Sequence, residues 1–277
     1  MKLRGGVVIR FPAIMGVLNV TPDSFSDGGR YLDPQRAVEH ALEIEAAGAS
    51  IIDVGGESTR PVGALEVPLE EEIARVKPVL ERLGQKLRIP MSIDTRRSAV
   101  ARIALDAGAY IINDVTALKG DTEMASVAAR SKCAVVLMHM RGGPHNHARF
   151  ARYRDVISEV REYLMRRARF AESSGIAKSR IILDPGIGFA KDAAHNFAIL
   201  AGLPRLCALG YPILVGASRK RFVRSIAAGG ERELTIAGAA ADALAVASGA
   251  SIVRVHDPAA AGAAVRMAEA VRRAAMR

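Results

Sequence analysis

Short apolar runs alternate with helix-like stretches from one end of the chain to the other, and that alternation leaves few folds open. Strands are expected at Ala13–Leu18, Ser50–Val54, Pro90–Ile93, Tyr110–Ile112, Ala134–Met138, Arg180–Leu183, Pro212–Val215 and Ser251–Val255. Each is brief, aliphatic and bounded by turn residues, as strands buried on both faces of a parallel sheet are. Helices are expected at 35–47, 69–83, 98–107, 122–129, 153–173, 193–201 and 219–227, then a second helix to about 248, with an Ala-rich helix closing the chain. Gly48, Gly108, Gly175 and Gly249 follow helical stretches, where a left-handed C-cap belongs. Eight βα units without a linker predict a single α/β domain over residues 1–277, a (β/α)8 TIM barrel. A doubly wound sheet is the alternative, but it seldom sustains so many alternations with so little inserted between them.

Composition narrows the class. Half of the 277 residues are hydrophobic, enough for a large core, and with 4% aromatics and no Trp that core must be aliphatic. No run approaches the roughly 18 apolar residues that cross a bilayer. Arg10 and Pro12 interrupt the only apolar stretch near the start, which therefore does not read as a signal peptide. Cys133 and Cys207 read as reduced core thiols of a cytoplasmic protein. The formal charge of +10 is spread over helices, with one dense cluster from Arg161 to Arg169. Without a row of stacking aromatics that cluster reads as a solvated helix face, and neither nucleic acid nor membrane is expected as a partner.

The polar residues at or just beyond the strands are Asn19, Asp53 with Glu57, Asp94, Asn113 with Asp114, His139, Asp184, Lys220, and Arg254 with His256. All are expected to converge on the C-terminal mouth of the barrel, where such folds carry their chemistry. Asp94, Asn113 and Asp184 suit a planar nitrogen heterocycle, because a carboxylate opposite an N–C–NH2 edge accepts two parallel hydrogen bonds. Arg60, Lys220, Arg254 and His256 are cationic, and the loops after strands 7 and 8 commonly hold phosphate. Ser218–Lys220 also opens a predicted helix, whose N-terminus would attract an anion. The set predicts a heterocycle with a phosphate-type tail. Ile181–Asp192 shows the pattern most densely: an apolar strand runs into Asp184, and Pro185, Gly186 and Gly188 then leave room for a ligand against backbone. Alone, Asp184 reads as a turn cap; the recurrence at every strand end argues for a site.

Residues 19–29, NVTPDSFSDGG, are too long and polar for a plain connector and read as a loop that folds over a ligand. Asp23 and Asp27 are placed to reach a Mg2+ on the anion. Arg141–Pro144 reads as a second cover. His145 and His147 fall in a Gly/Pro loop and read as part of a mobile segment rather than a metal pair.

Several of these stretches are long enough to be specific. MGVLNVTPDSFSDGG (15–29), DVGGESTRP (53–61), SIDTRR (92–97), INDV (112–115), LMHM (137–140), LDPGIGFAK (183–191), GASRK (216–220) and RVHD (254–257) closely resemble, in order, the dihydropteroate synthase family of pterin-binding enzymes. The resemblance implies a transferase of folate biosynthesis that joins 7,8-dihydropterin-6-ylmethyl diphosphate to 4-aminobenzoate with loss of diphosphate. It also implies competition by sulfonamides, Mg2+ as cofactor, and a homodimer. Carried over by position, Asp94, Asn113, Asp184 and Lys220 hold the pterin, and Arg254 packs on its face. Arg254, Asn19, Thr59, Arg60 and His256 hold the diphosphate, and Asn19 contacts Mg2+. Pro61, Phe189, Ser218 and Lys220 border the aminobenzoate. Asp94, Asp184, Lys220 and Arg254 are the expected catalytic groups. No covalent intermediate is expected, since no Ser, Cys or Lys stands beside an activating base.

The chain departs from the family pattern in a few places. Val62 is inserted between Pro61 and Gly63, Ile187 stands where Phe is frequent, and Ala190 where Gly is. Arg221 replaces a Ser thought to bind the aminobenzoate carboxylate, and either binds it or lies in solvent. No motif is missing, so sulfonamide sensitivity is expected. The rivals are a pterin-binding methyltransferase, which has no use for the diphosphate set, and a non-catalytic paralogue, which should have lost a site residue.

Overall fold

The computed structural model describes residues 1–21, 33–57, 66–143 and 146–275. Its strands are β1 (Ala13–Asn19), β2 (Ile51–Gly55), β3 (Met91–Asp94), β4 (Ile111–Asp114), β5 (Ala134–Met138), β6 (Ile181–Asp184), β7 (Leu214–Val215) and β8 (Ile252–Val255). They form one eight-stranded sheet in the order β6-β5-β4-β3-β2-β1-β8-β7. All pairs are parallel. A parallel bridge between Leu183 and Ile213 joins the two ends, with the Leu183 N–H donating to Pro212 O at 2.9 Å, so the sheet comes round as a (β/α)8 barrel.

The flanking helices are α1 (Pro34–Ala46), α2 (Leu69–Lys86), α3 (Ser98–Asp106), α4 (Met124–Ser131), α5 (Val156–Ser173), α6 (Ala193–Ala201), α7 (Leu203–Cys207), α8 (Arg221–Arg224), α9 (Glu231–Ala247) and α10 (Pro258–Ala274). Local chemistry starts several of them. Asp33 accepts from the Gln35 N–H ahead of α1, Asp155 from Ile157 and Ser158 ahead of α5, and Asp257 from Ala260 ahead of α10. Asp192 and His195 form a reciprocal cap on α6. Each satisfies amide donors that a helix start otherwise leaves without partners. Gly48, Gly108, Gly175 and Gly249 take the left-handed conformation expected after helices, with φ from +92° to +105°.

One correction concerns helices: the segment read as a helix over 219–227 contains only the single turn α8, while the second helix expected to reach about 248 is α9. The helix expected over 193–201 is α6 with those bounds, and the short α7 that follows Gly202 is an addition. Among the described residues no helix is long and apolar enough to cross a membrane.

Side chains alternate across each strand. Outward residues such as Ile52, Ile93, Ile112 and Leu183 pack under the helices. Inward residues Met15, Ile51, Ile111, Ala134, Val136, Ile182, Leu214 and Ile252 fill the lower barrel, plugged from below by Leu3 and Ile9 of an N-terminal bridge between Lys2 and Val8. Two residues further up the same strands, the inward positions are Asp53, Asn113, Met138, Asp184 and Arg254. The barrel is thus aliphatic at its base and polar at its mouth.

Candidate active site

The register brings β3 and β4 together with Asp94 opposite Asn113. On one side Asp53, fully buried, accepts from Arg254 Nε at 2.6 Å and from Asn113 Nδ2 at 2.9 Å. Arg254 also donates through Nη2 to Asp94 Oδ2 at 2.9 Å. One guanidinium therefore bridges two carboxyls across the mouth. Asp53 Oδ1 and the Ser92 hydroxyl are buried in this cluster with no partner among the described residues.

Across the mouth stands Asp184. Its Oδ1 accepts from the Gly186 N–H at 2.6 Å, and its carbonyl accepts from the His139 N–H at 2.8 Å. Gly186 has φ +66°, and a Cβ there would lie 2.0 Å from His139 O, so only glycine fits this turn. The loop then lifts Phe189 into an apolar cluster with Val115, Met138 and Met140. Lys220 Nζ sits 4.3 Å from the centre of the Phe189 ring, and its stem closes on Gly188, where a Cβ would meet Lys220 Cδ at 2.9 Å. Beside it, Ser218 Oγ accepts from the His256 N–H at 3.2 Å and contacts His256 Nδ1 at 3.1 Å.

Burial sets the charges of this group. It pushes Asp94 up to about 7, with Arg254 pulling the other way and Asp53 adding to the rise. It pushes Asp184 up to about 6, opposed by the Gly186 N–H and by Lys220. It presses Lys220 down to about 8, and Arg254 adds to that effect. Burial also acts against the Arg254 charge, yet Asp53 and Asp94 hold its guanidinium above the usual value. The mouth therefore offers acids and a base poised near neutrality, a pattern common where heterocycles are bound and charge develops.

Not every polar strand end faces this pocket, contrary to the expectation that all converge. Asp114 turns outward, where its carboxylate accepts from Thr116 and Leu118 and fastens the β4 loop. Glu57 pairs with Arg96 at 3.2 Å. His139 lies outside the strand wall, stacked edge-on to Tyr163. His147, read as part of a mobile segment, is buried, and its Nδ1 accepts from the Ala190 N–H at 2.9 Å. The one-turn α8 is too short to offer the helix N-terminal anion site expected at Ser218–Lys220. Arg221 is exposed at its start. Asp23, Asp27, Thr59, Arg60, Pro61, Val62, Gly63, Pro144 and His145 lie outside the described residues.

Asn19 closes β1 at the same mouth, paired in register with Gly55. Among the described residues no group of three or more His, Cys, Asp or Glu can hold a metal. A Mg2+ ion that keeps several waters and substrate phosphate oxygens needs only one or two protein oxygens. The Asn19 amide fits a cation carried in by an anionic substrate better than a resident metal.

Residues 15–256 match the family model described as pterin binding enzyme. The dihydropteroate synthase of Synechocystis sp. is 46% identical over 245 residues, covering 88% of this chain and 84% of that protein. Among solved structures, the Xanthomonas albilineans dihydropteroate synthase with 4-aminobenzoic acid superposes with a TM-score of 0.87 at 45% identity, covering 95% of this chain and 93% of the other. The Yersinia pestis dihydropteroate synthase in complex with a sulfonamide drug gives 0.90 at 39% identity, covering 99% of each chain. With a barrel whose mouth gathers Asp94, Asn113, Asp184, Lys220 and Arg254, and relatives of this likeness along nearly its whole length, the chain belongs to the pterin-binding enzymes and, among them, to the dihydropteroate synthases, transferases of folate biosynthesis.

Proposed function

We propose that the chain joins 7,8-dihydropterin-6-ylmethyl diphosphate to 4-aminobenzoate by a dissociative, SN1-like route, giving 7,8-dihydropteroate and diphosphate. The observation that carries this reading is the inward cluster in which Asp53, Asp94 and Arg254 form one bridged unit beside Asn113, with Asp184 facing it. Asp94, Asn113 and Asp184 accept from and donate to the ring edge of the pterin, and Lys220 donates from the far side. Arg254 leaves one of its carboxylates to lie on the pterin face. As the C–O bond to the diphosphate breaks, positive charge grows on the pterin methylene, and the Asp94 and Asp184 carboxylates stabilise it in a water-poor pocket. The neutral aniline nitrogen attacks the methylene and then gives up its proton.

Arg254, Asn19 and His256 hold the leaving diphosphate, as do Thr59 and Arg60 on the strength of the resemblance alone. Asn19 would hold a Mg2+ ion through its amide oxygen, and the ion, when bound, supplies charge neutralisation on the diphosphate. Phe189, Ser218 and Lys220, with Pro61, border the aminobenzoate, and exposed Arg221 is near enough in sequence to Lys220 to serve its carboxylate. Sulfonamides compete at this subsite.

A homodimer and a cytoplasmic location belong to the same proposal. Ile236 and Leu244 on α9, and Met267 and Val271 on α10, are 58–68% exposed and follow helical spacing on two helices that pack together. An apolar face of that kind fits a second copy. Both cysteines are free, as in a reducing compartment.

The test mixes the protein with dihydropterin methyl diphosphate and Mg2+, with and without 4-aminobenzoate. Dihydropteroate formed only when the aniline is present, and blocked by sulfonamide, supports the reading. Tight pterin binding without turnover would instead point to a methyltransferase or a silent paralogue.

A further inference from the structure

The loop after β6 leads from Asp184 to Phe189; its amides are held by Asp184, Asn196 and His147, and its carbonyls by a buried lysine. Lys191 is buried, and its Nζ donates to Gly186 O at 2.9 Å and Phe189 O at 2.8 Å and contacts His139 Nδ1 at 2.9 Å. Burial presses Lys191 down to about 7. As the ammonium it uses all three N–H groups, with His139 accepting through Nδ1; as the amine it accepts from Nδ1–H instead, so the contact holds in either form. His139 in turn is anchored by its own backbone, whose N–H binds Asp184 O and whose carbonyl lies against Gly186. The contacts tie β5 to both ends of the turn between Asp184 and Phe189. A buried ammonium is costly where a hydrophobic side chain would pack, so its place here needs a reason other than stability.

We propose that Lys191 and His139 form a positioning strut that fixes the 186–189 turn, and through it the spacing between the Phe189 wall of the aminobenzoate subsite and the pterin subsite. This rests on the assignment of those subsites given above. Asp94 and Asn113, on β3 and β4, do not touch the strut. Asp184 does meet it, through the Gly186 N–H on its carboxylate and the His139 N–H on its carbonyl, but stays seated on β6, so loss of the strut bears more heavily on the second substrate than on the first.

The experiment compares Lys191→Met, His139→Leu and His139→Asn with the wild type. Asn presents an acceptor where His139 Nδ1 stands, whereas Leu presents none. In Lys191→Met and His139→Leu, kcat/KM for 4-aminobenzoate should fall about 100-fold, the scale of a misplacement of about 1 Å. The dissociation constant for the pterin diphosphate alone should rise by much less than that, and His139→Asn should restore most of the loss. Hydrogen exchange supplies a readout independent of turnover. Peptides over 185–192 should exchange about tenfold faster in Lys191→Met, as when a buried hydrogen-bonding group is left unmet, while β6 itself stays protected. Equal losses for both substrates, or unchanged exchange over 185–192, overturn the strut. A wild type that makes no dihydropteroate refutes the proposed reaction, and the exchange result still decides the strut.

Discussion

Replacing Arg254 with methionine tests whether the inward cluster works as one electrostatic unit. The guanidinium donates to Asp53 at 2.6 Å and to Asp94 at 2.9 Å, with 21% of its side chain exposed against 0% and 13% for the two partners. Methionine keeps much of the stem and donates nothing. Removing one member of a buried pair costs about 3–5 kcal/mol, because the charge left behind stays out of water. Asp94 adds a pH dependence to that cost. Burial lifts its pKa from 3.8 to about 7, and Arg254 pulls against the rise, so without Arg254 the value moves higher still. An acid with a raised folded pKa stabilises the fold below its unfolded value, and that stability is lost as pH rises through the folded value. In the wild type the loss runs from about pH 4 to about pH 7. In Arg254→Met it continues above that, by about 1.4 kcal/mol per pH unit for the single proton concerned. Urea unfolding at about pH 5, 7 and 9 should therefore show the variant's deficit smallest in acid and largest in alkali, reaching about 3–5 kcal/mol. A deficit under about 1 kcal/mol, or one that is the same at all three pH values, would refute the bridged-cluster argument.

Asp242 on α9 is buried, its Oδ1 has no partner among the described residues, and burial pushes its pKa up to about 8. Its stabilising contribution is present below about pH 4 and lost by about pH 8, so Asp242→Asn should gain on the wild type across that window, by at most about 5 kcal/mol in urea titrations. Ala190 holds φ +49°, a conformation that costs an L-residue about 1–2 kcal/mol. After the entropy glycine adds to the unfolded chain, Ala190→Gly should raise stability by up to about 1 kcal/mol, read as a higher melting temperature. Leu244→Lys combined with Met267→Glu should shift the protein from dimer to monomer in sedimentation experiments, and a wild type already monomeric would remove the case for the α9 and α10 face.

The barrel was legible because its strands are short, apolar and punctuated, so that almost every run in the sequence is one strand of the structure. Glycine marks helix boundaries here: Gly202 ends α6 and Gly229 with Gly230 precede α9, as the spacing predicts, whereas the short α7 and the single turn α8 are too brief to show a helical period. The site was legible in part, and the part missed depends on phase. Asn113 and Asp114 are adjacent and equally polar, yet the alternation that places Ile111 inside sends Asn113 to the mouth and Asp114 to the outer layer. By the same parity Met138 points in and His139 out, which any reading that fixed the strand phase from its apolar residues would have found. The sequence places Asp53 at a strand end and assigns it no role; only the register shows it sharing Arg254 and Asn113. Lys191 is different, because its contacts join the turn just before it to His139, beyond the end of β5, which no spacing in the sequence brings together. Asp94, Asn113, Asp184 and Arg254 sit at fixed heights on regular strands, so their positions follow from pattern. Residues that hold a turn in place answer to geometry made by the turn itself, and that geometry exists only once the chain has folded.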